Sequence, residues 1–352
     1  MPRKGKKIET IIAATISLFI VMEAGLQLRA QWQTGRSVFT ALAGQKRIVV
    51  DTETGVRRLA ANRTFRGADI EVQTNAYGLR SPEISLHHAE NTVRIAVLGA
   101  SSIYGAEAAT NADTIPARLE RALKKRIEGR KIEVINAGVP GSTIENIHLL
   151  LSNIILPLSP NIVVFYPGFQ QISGACRPEQ RVERQSAPWI GLPNWSLVYD
   201  LIVKNTRFLR EKPGIRPVQS PPKFEPGDYR QALEKLIEEA TTANAEFILT
   251  TAARGYREEF DLEENHALAR NSLNFADCLT PTALIEATAL FNPTIRQIAA
   301  DRDAPIIDLA RQVPGGWRYF VDGNHLNDEG KRLSVNILVE RLEAYLNRKN
   351  DE

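Results

Sequence analysis

The sequence predicts a three-layer α/β/α domain built on a five-stranded parallel sheet and preceded by one N-terminal transmembrane helix. Three observations lead there. The first is an apolar stretch from Ile8 to Leu28 behind a basic cluster of Arg3, Lys4, Lys6 and Lys7. The second is a regular alternation, from Arg94 onward, of short apolar runs with segments of helical period. The third is that the first three apolar runs each end in a turn of small residues, at Ser101, Gly141 and Gly168. In a parallel sheet such turns share the carboxyl edge, where ligands bind.

The elements follow in order. Residues 1–7 read as a basic cytoplasmic tail and 8–28 as the span, since a helix rising ~1.5 Å per residue covers a ~30 Å hydrocarbon core in about 20 residues. Basic residues stay in the cytoplasm, so the rest of the chain lies outside it. Without a clean A-x-A cleavage site the segment reads as an uncleaved signal anchor. Glu9 fits the cytoplasmic interface. Glu23 sits near the outer end, where a carboxyl reaches headgroups or is protonated. Residues 29–90 read as linker and N-terminal extension, with short strands at Ile48-Val49-Val50 and Ile70-Glu71-Val72. Asn62-Arg63-Thr64 matches a glycosylation acceptor, which carries no meaning in a bacterial chain.

Residues 91–350 form the main domain. Its strands are expected at Arg94 to Leu98, Lys131 to Asn136, Asn161 to Tyr166, Glu246 to Thr250 and Pro305 to Leu309. Its helices are expected at Asp113 to Ile127, with Asp113 as cap and Ile115, Leu119 and Leu123 inward, then Thr143 to Leu156, Asp228 to Ala243, Pro293 to Asp301 and Asn327 to Asn347. The stretch of about 173–227 is rich in Pro and Arg and carries Trp189, Trp195 and Tyr199. It reads as an insertion over the carboxyl edge.

Composition narrows the function. Of 352 residues, 43% are hydrophobic and 24% charged, which suits a folded domain. A net charge of +3 argues against a broad nucleic-acid surface. No CxxC, HExxH or Cys/His cluster supports zinc, and no cofactor is called for. Cys176 and Cys278 read equally as a disulfide or as two unpaired small hydrophobes.

Chemistry concentrates in two segments. Ser101 ends the first strand in Gly99-Ala100-Ser101-Ser102, and a serine hydroxyl becomes a nucleophile when a base takes its proton. Five histidines are available: His87, His88, His148, His266 and His325. Only His325 has a carboxylate at short fixed spacing, Asp322, and a loop position before a helix. Asp322 can hold Nδ1–H and leave Nε2 for Ser101. The backbone N–H groups of Ser101 and Gly141 and the side-chain amide of Gln170 are the candidate oxyanion donors.

These segments resemble the four blocks of the SGNH, or GDSL-like, hydrolase superfamily, in its membrane-anchored bacterial form. Gly99-Ala100-Ser101 is similar to the nucleophile block, with Ala100 in place of the usual Asp. Asn136 to Thr143 resembles the oxyanion-glycine block, Gly168-Phe169-Gln170-Gln171 the third, and Asp322-Gly323-Asn324-His325 the fourth. Gln170 replaces the usual Asn, which keeps the amide but adds a methylene. Thr74 to Arg80 resembles a segment preceding the first block in anchored members. The resemblance implies an SGNH-hydrolase-like (flavodoxin-like) fold and a serine esterase in the inner membrane with its catalytic domain in the periplasm. It further implies acylated small molecules, carbohydrates or lipids as substrates, O-acetyl groups on cell-envelope or exported polysaccharide foremost. An O-acyltransferase of the same fold and a non-catalytic polysaccharide-binding or assembly protein are the alternatives. A nucleotide binder leaves Asp322 and His325 unexplained.

Overall fold

In the computed structural model of the chain, the described residues are 3–34, 47–170, 172, 196–199, 201–202, 226–257, 259–273, 275–276 and 279–351. They fall into two units. One comprises Met1–Arg47, Phe65–Glu71 and Val182–Arg216, the other Ile48–Thr64, Val72–Arg181 and Pro217–Glu352.

Strand β5 (Thr92–Gly99) is buried at all eight positions and forms the middle of the larger unit. Among the described residues four short strands precede it: β1 (Ile48–Val50), β2 (Arg57–Leu59), β3 (Thr64–Arg66) and β4 (Glu71–Gln73). The sequence pointed to the first and, one residue early, to the last. Beside β5 lie β6 (Lys131–Gly138), β7 (Ile162–Phe165), β8 (Glu246–Thr250) and β9 (Ile306–Ile307), in the order β6-β5-β7-β8-β9 and all parallel. The strand order reverses at β5, which has β6 on one side and β7 on the other. A crevice opens at the carboxyl end of such a reversal.

Period-two alternation decides which layer each strand residue feeds. Ala96, Leu98, Val163, Phe165, Phe247 and Leu249 pack on one side. Ile95, Val97, Ile162, Val164 and Ile248 pack on the other. The first layer contains α4 (Ile144–Leu150), α5 (Pro226–Thr242), α7 (Pro281–Ala289) and α8 (Phe291–Asp301), and the second α3 (Ile115–Leu123) and α10 (Asp328–Asp351). The expected three-layer fold with a five-stranded parallel sheet is the one observed.

Several boundaries differ for local reasons. Thr114, not Asp113, caps α3, its side chain accepting from Ala117 N–H. Asp113 closes the preceding turn against Thr110. The last strand is cut to two residues because Asp308 leaves it to cap α9 (Leu309–Gln312). Helices α6 (Leu262–Leu273) and α7 were not anticipated. Trp189, Trp195, Cys176, Cys278 and most of the expected insertion lie outside the described residues.

Glycine is required where β6 meets the turn after β5. A side chain at Gly138 would put its Cβ 2.0 Å from the backbone nitrogen of Tyr104. That approach sets Tyr104, and the serine three residues before it, against the end of the sheet.

In the smaller unit, α1 (Arg3–Thr34) exposes Ile8, Ile11, Ile12, Ile16, Leu18, Ile20 and Val21, which point in all directions around the helix. It is long and apolar enough to cross a membrane. Glu23 and Gln27 interrupt this surface one turn apart, and both are buried. Glu23 accepts from Gln27 Nε2 (2.6 Å), Ser196 Oγ (2.8 Å) and the N–H groups of Leu197 (2.9 Å) and Val198 (3.0 Å). The carboxylate therefore has protein donors at the start of a short helical segment, an anion at a helix N-terminus, where the sequence suggested headgroups or protonation.

Leu119, on α3, is fully buried in the second layer. Leu119→Ala is expected to lower unfolding free energy by about 2–5 kcal/mol in urea titrations followed by circular dichroism.

Candidate active site

The turn after β5 is α2 (Ser101–Tyr104), which starts at Ser101 directly behind the strand and closes at Gly105 in the left-handed region (φ 84°). Its carbonyl end is held by Arg80, itself only 1% exposed. The Arg80 guanidinium donates to the carbonyls of Tyr104 (3.2 Å), Gly105 (2.7 Å) and Ala108 (3.1 Å). The segment Thr74 to Arg80, singled out in the sequence without a stated task, thus braces the turn that presents the serine.

The second piece is the loop before α10. Asp322 Oδ1 accepts from the backbone N–H of Asn324 and of His325, both at 2.8 Å. Asp322 Oδ2 faces His325 Nδ1 at 2.8 Å and accepts from Asn271 Nδ2 at 2.6 Å. The three-residue spacing matters for this reason: one carboxylate folds the loop with one oxygen and orients the ring with the other. Gly323 must lack a side chain, because its Cβ would lie 2.6 Å from the Tyr256 ring.

The two pieces meet. His325 Nε2 lies 2.8 Å from Ser101 Oγ, and Ser102 Oγ donates to Asn324 O at 3.3 Å. With Nδ1 carrying the proton toward Asp322, Nε2 accepts from the serine hydroxyl. Burial disfavours the charge on Asp322, yet the hydrogen bond and charge of His325, with the Asn271 amide and the Asn324 N–H, bring its pKa down to about 2. Burial also opposes a charged His325, but the hydrogen bond and charge of Asp322, with Glu107, outweigh it and raise its pKa above the ordinary histidine value. Such a ring is neutral, and able to act as a base, only above its raised pKa, and its charged form is stabilised once it takes a proton.

The loops after β6 and β7 reach the same edge. Gly141 is exposed with φ 74°, on a turn braced by Arg57, which donates to Pro140 O and Ser142 Oγ. Gly168 packs so closely on Ala100 that a Cβ there would lie 2.9 Å from the Ala100 Cβ. Gln170 is half-buried two residues further on. The other histidines lie elsewhere. His148 Nε2 is 2.7 Å from Glu239 Oε2, His266 Nε2 is 3.2 Å from Thr282 Oγ1, and His87 and His88 are exposed or half-buried in the stretch before β5.

Two residues at this edge escaped the sequence reading. Asn271, on α6, lies 51 positions from the carboxylate it donates to, and no local spacing marks it. Arg254 follows β8 at the carboxyl edge and acts electrostatically on His325. The strand-edge rule that singled out Ser101 would have found it.

The profile of the GDSL-like lipase/acylhydrolase family matches residues 97–333. No curated protein matches the chain. Among solved structures, the chain is similar to a lipase/acylhydrolase from Enterococcus faecalis at 18% identity, covering 72% of this chain and 96% of that one, with a TM-score of 0.46. It is similar to an alpha/beta hydrolase enzyme from the metagenome of Lake Arreo at 16% identity, covering 73% and 96%, TM-score 0.46. It is also similar to a catalytic mutant of an acetylxylan esterase from Geobacillus stearothermophilus at 13% identity, covering 71% and 93%, TM-score 0.44.

In an NMR titration of ring protons, His325 is expected to titrate above about 6.5, the ordinary histidine value. Asp322→Asn is expected to move that midpoint down, because it removes the charge that favours the imidazolium and leaves one acceptor oxygen where the carboxylate had two. An unmoved midpoint would show that the pair does not set the basicity of His325.

Proposed function

The chain belongs to the GDSL-like lipase/acylhydrolase family, and from that premise we propose that it is a membrane-anchored serine esterase. The observation that carries the reading is the continuous chain Ser101–His325–Asp322, with both links at 2.8 Å. Ser101 Oγ attacks the ester carbonyl while His325 Nε2 takes its proton. Asp322 holds the ring in the required tautomer and stabilises the imidazolium. His325 then protonates the leaving alkoxide. Water, deprotonated by the same imidazole, attacks the acyl-serine, and the acid leaves with Ser101 restored.

The oxyanion is assigned to the N–H groups of Ser101 and Gly141, with the Gln170 amide as third donor. The start of α2 favours negative charge at Ser101. The longer amide of Gln170, where the family offers Asn, bears on rate rather than on reaction type, since one donor is worth ~10²–10³.

Helix α1 anchors the enzyme, with residues 1–7 inside and the hydrolase domain in the periplasm. The exposed apolar surface from Ile8 to Val21 supports this placement. O-acetyl groups on cell-envelope or exported polysaccharide are the proposed substrates, following the resemblance to anchored members.

The test uses the full chain in detergent with p-nitrophenyl acetate and longer esters. Ser101→Ala and His325→Ala are each expected to lower kcat by at least about 10³-fold. Wild-type turnover no faster than either variant would overturn the esterase reading. The wild-type kcat/KM should fall on the acid side, with a midpoint above about 6.5, because His325 serves as base only when neutral and its pKa is raised.

A further inference from the structure

Beyond β8, the chain turns along the loop that holds Asp322 and His325. Gly255 N–H donates to Gly323 O (3.0 Å), and Gly316 N–H donates to Gly255 O (2.7 Å). This course puts Arg254 at the carboxyl edge, only 7% exposed. Among the described residues it has no hydrogen-bond or ion-pair partner, although a buried guanidinium is costly unless paired. Burial pushes the phenols of Tyr166, Tyr229 and Tyr256 up, and the Arg254 charge offsets part of that in each. The same charge reaches His325. Arg254 therefore sits among buried phenols, within electrostatic range of the catalytic ring.

Arg254 also lines a cavity of about 420 Å³ with Tyr256, Thr288 and Asn292, and the exposed Glu259 and Glu286 stand at its rim. The second arginine there, Arg257, already donates to Val313 O. The volume is within the range of small-molecule sites and much larger than an acetyl group needs. We propose that this cavity is a subsite for the sugar side of the ester, with Arg254 pairing the carboxylate of an acidic, uronate-type residue. The guanidinium fork matches a carboxylate bidentately. The rim carboxylates accept from sugar hydroxyls and repel a doubly charged group such as a phosphate. The assignment deepens the esterase reading and rests on it for the reaction, though not for binding.

The test compares O-acetylated methyl glucuronoside with O-acetylated methyl glucoside on the full chain. Wild type is expected to favour the acidic sugar by about tenfold to a hundredfold in kcat/KM. Arg254→Gln should bring the ratio near one, and Arg254→Lys should restore part of it. A second arm needs no turnover and no change at Arg254: calorimetric titration of the Ser101→Ala protein with methyl glucuronoside and methyl glucoside. Stronger binding of the acidic sugar supports the subsite even if no ester is cleaved. Equal binding, or hydrolysis of both esters without preference, overturns the subsite and leaves the esterase reading standing. An Arg254-dependent preference for a succinyl over an acetyl ester of a neutral alcohol would place the carboxylate on the acyl side and overturn the sugar assignment.

Discussion

The hydrogen bond between Ser101 Oγ and His325 Nε2 joins residues 224 positions apart, and much of the larger unit is arranged around it. No local structure can hold two such distant side chains at 2.8 Å. The sheet does so by fixing where β5 ends. Gly138 lets that end close on Tyr104, and Arg80 ties the following turn to three carbonyls. From the other side, Asp322 folds its own loop while holding the ring, and Ser102 links the two pieces through Asn324 O. Catalytic geometry tolerates errors of only about 0.5 Å. The buried polar groups near this bond are therefore intelligible as positioning devices as well as contributors to stability.

The same distinction explains what the sequence revealed. Ser101, Asp322 and His325 were legible because a strand edge and a three-residue spacing mark them locally. Strand β8 was placed at its observed bounds because its apolar run is short and sharply delimited. Helix α6 was not seen because its buried face includes Asn265 and Ser272 beside Leu268 and Ala269, so polar residues break the apolar period. Those polar residues have work in the fold. Asn265 pairs with the backbone of Arg257, and Ser272 takes the Asn324 amide. A helix that serves a polar loop looks poorly amphipathic when it is read for its core face alone. The cap of α3 was misplaced for a milder reason: Asp113 and Thr114 are adjacent, both suit an N-cap, and only the turn starting at Thr110 decides between them.

Glu23 and Arg254 pose one physical problem in two units. Each is a charged group only 7% exposed. Glu23 is answered within its own unit by three donors at the start of a short helical segment and by Gln27. Arg254 has no such answer among the described residues. Its charge also opposes the imidazolium that His325 becomes in the proposed reaction, against the pull of Asp322 and Glu107. A substrate carboxylate on Arg254 would cancel that opposition. The ring would then become a stronger base with the acidic substrate in place, so that binding energy from the sugar side would favour the proton transfer that starts the reaction. An interaction remote from the scissile bond would then be expressed in the transition state, where it can raise turnover as well as affinity.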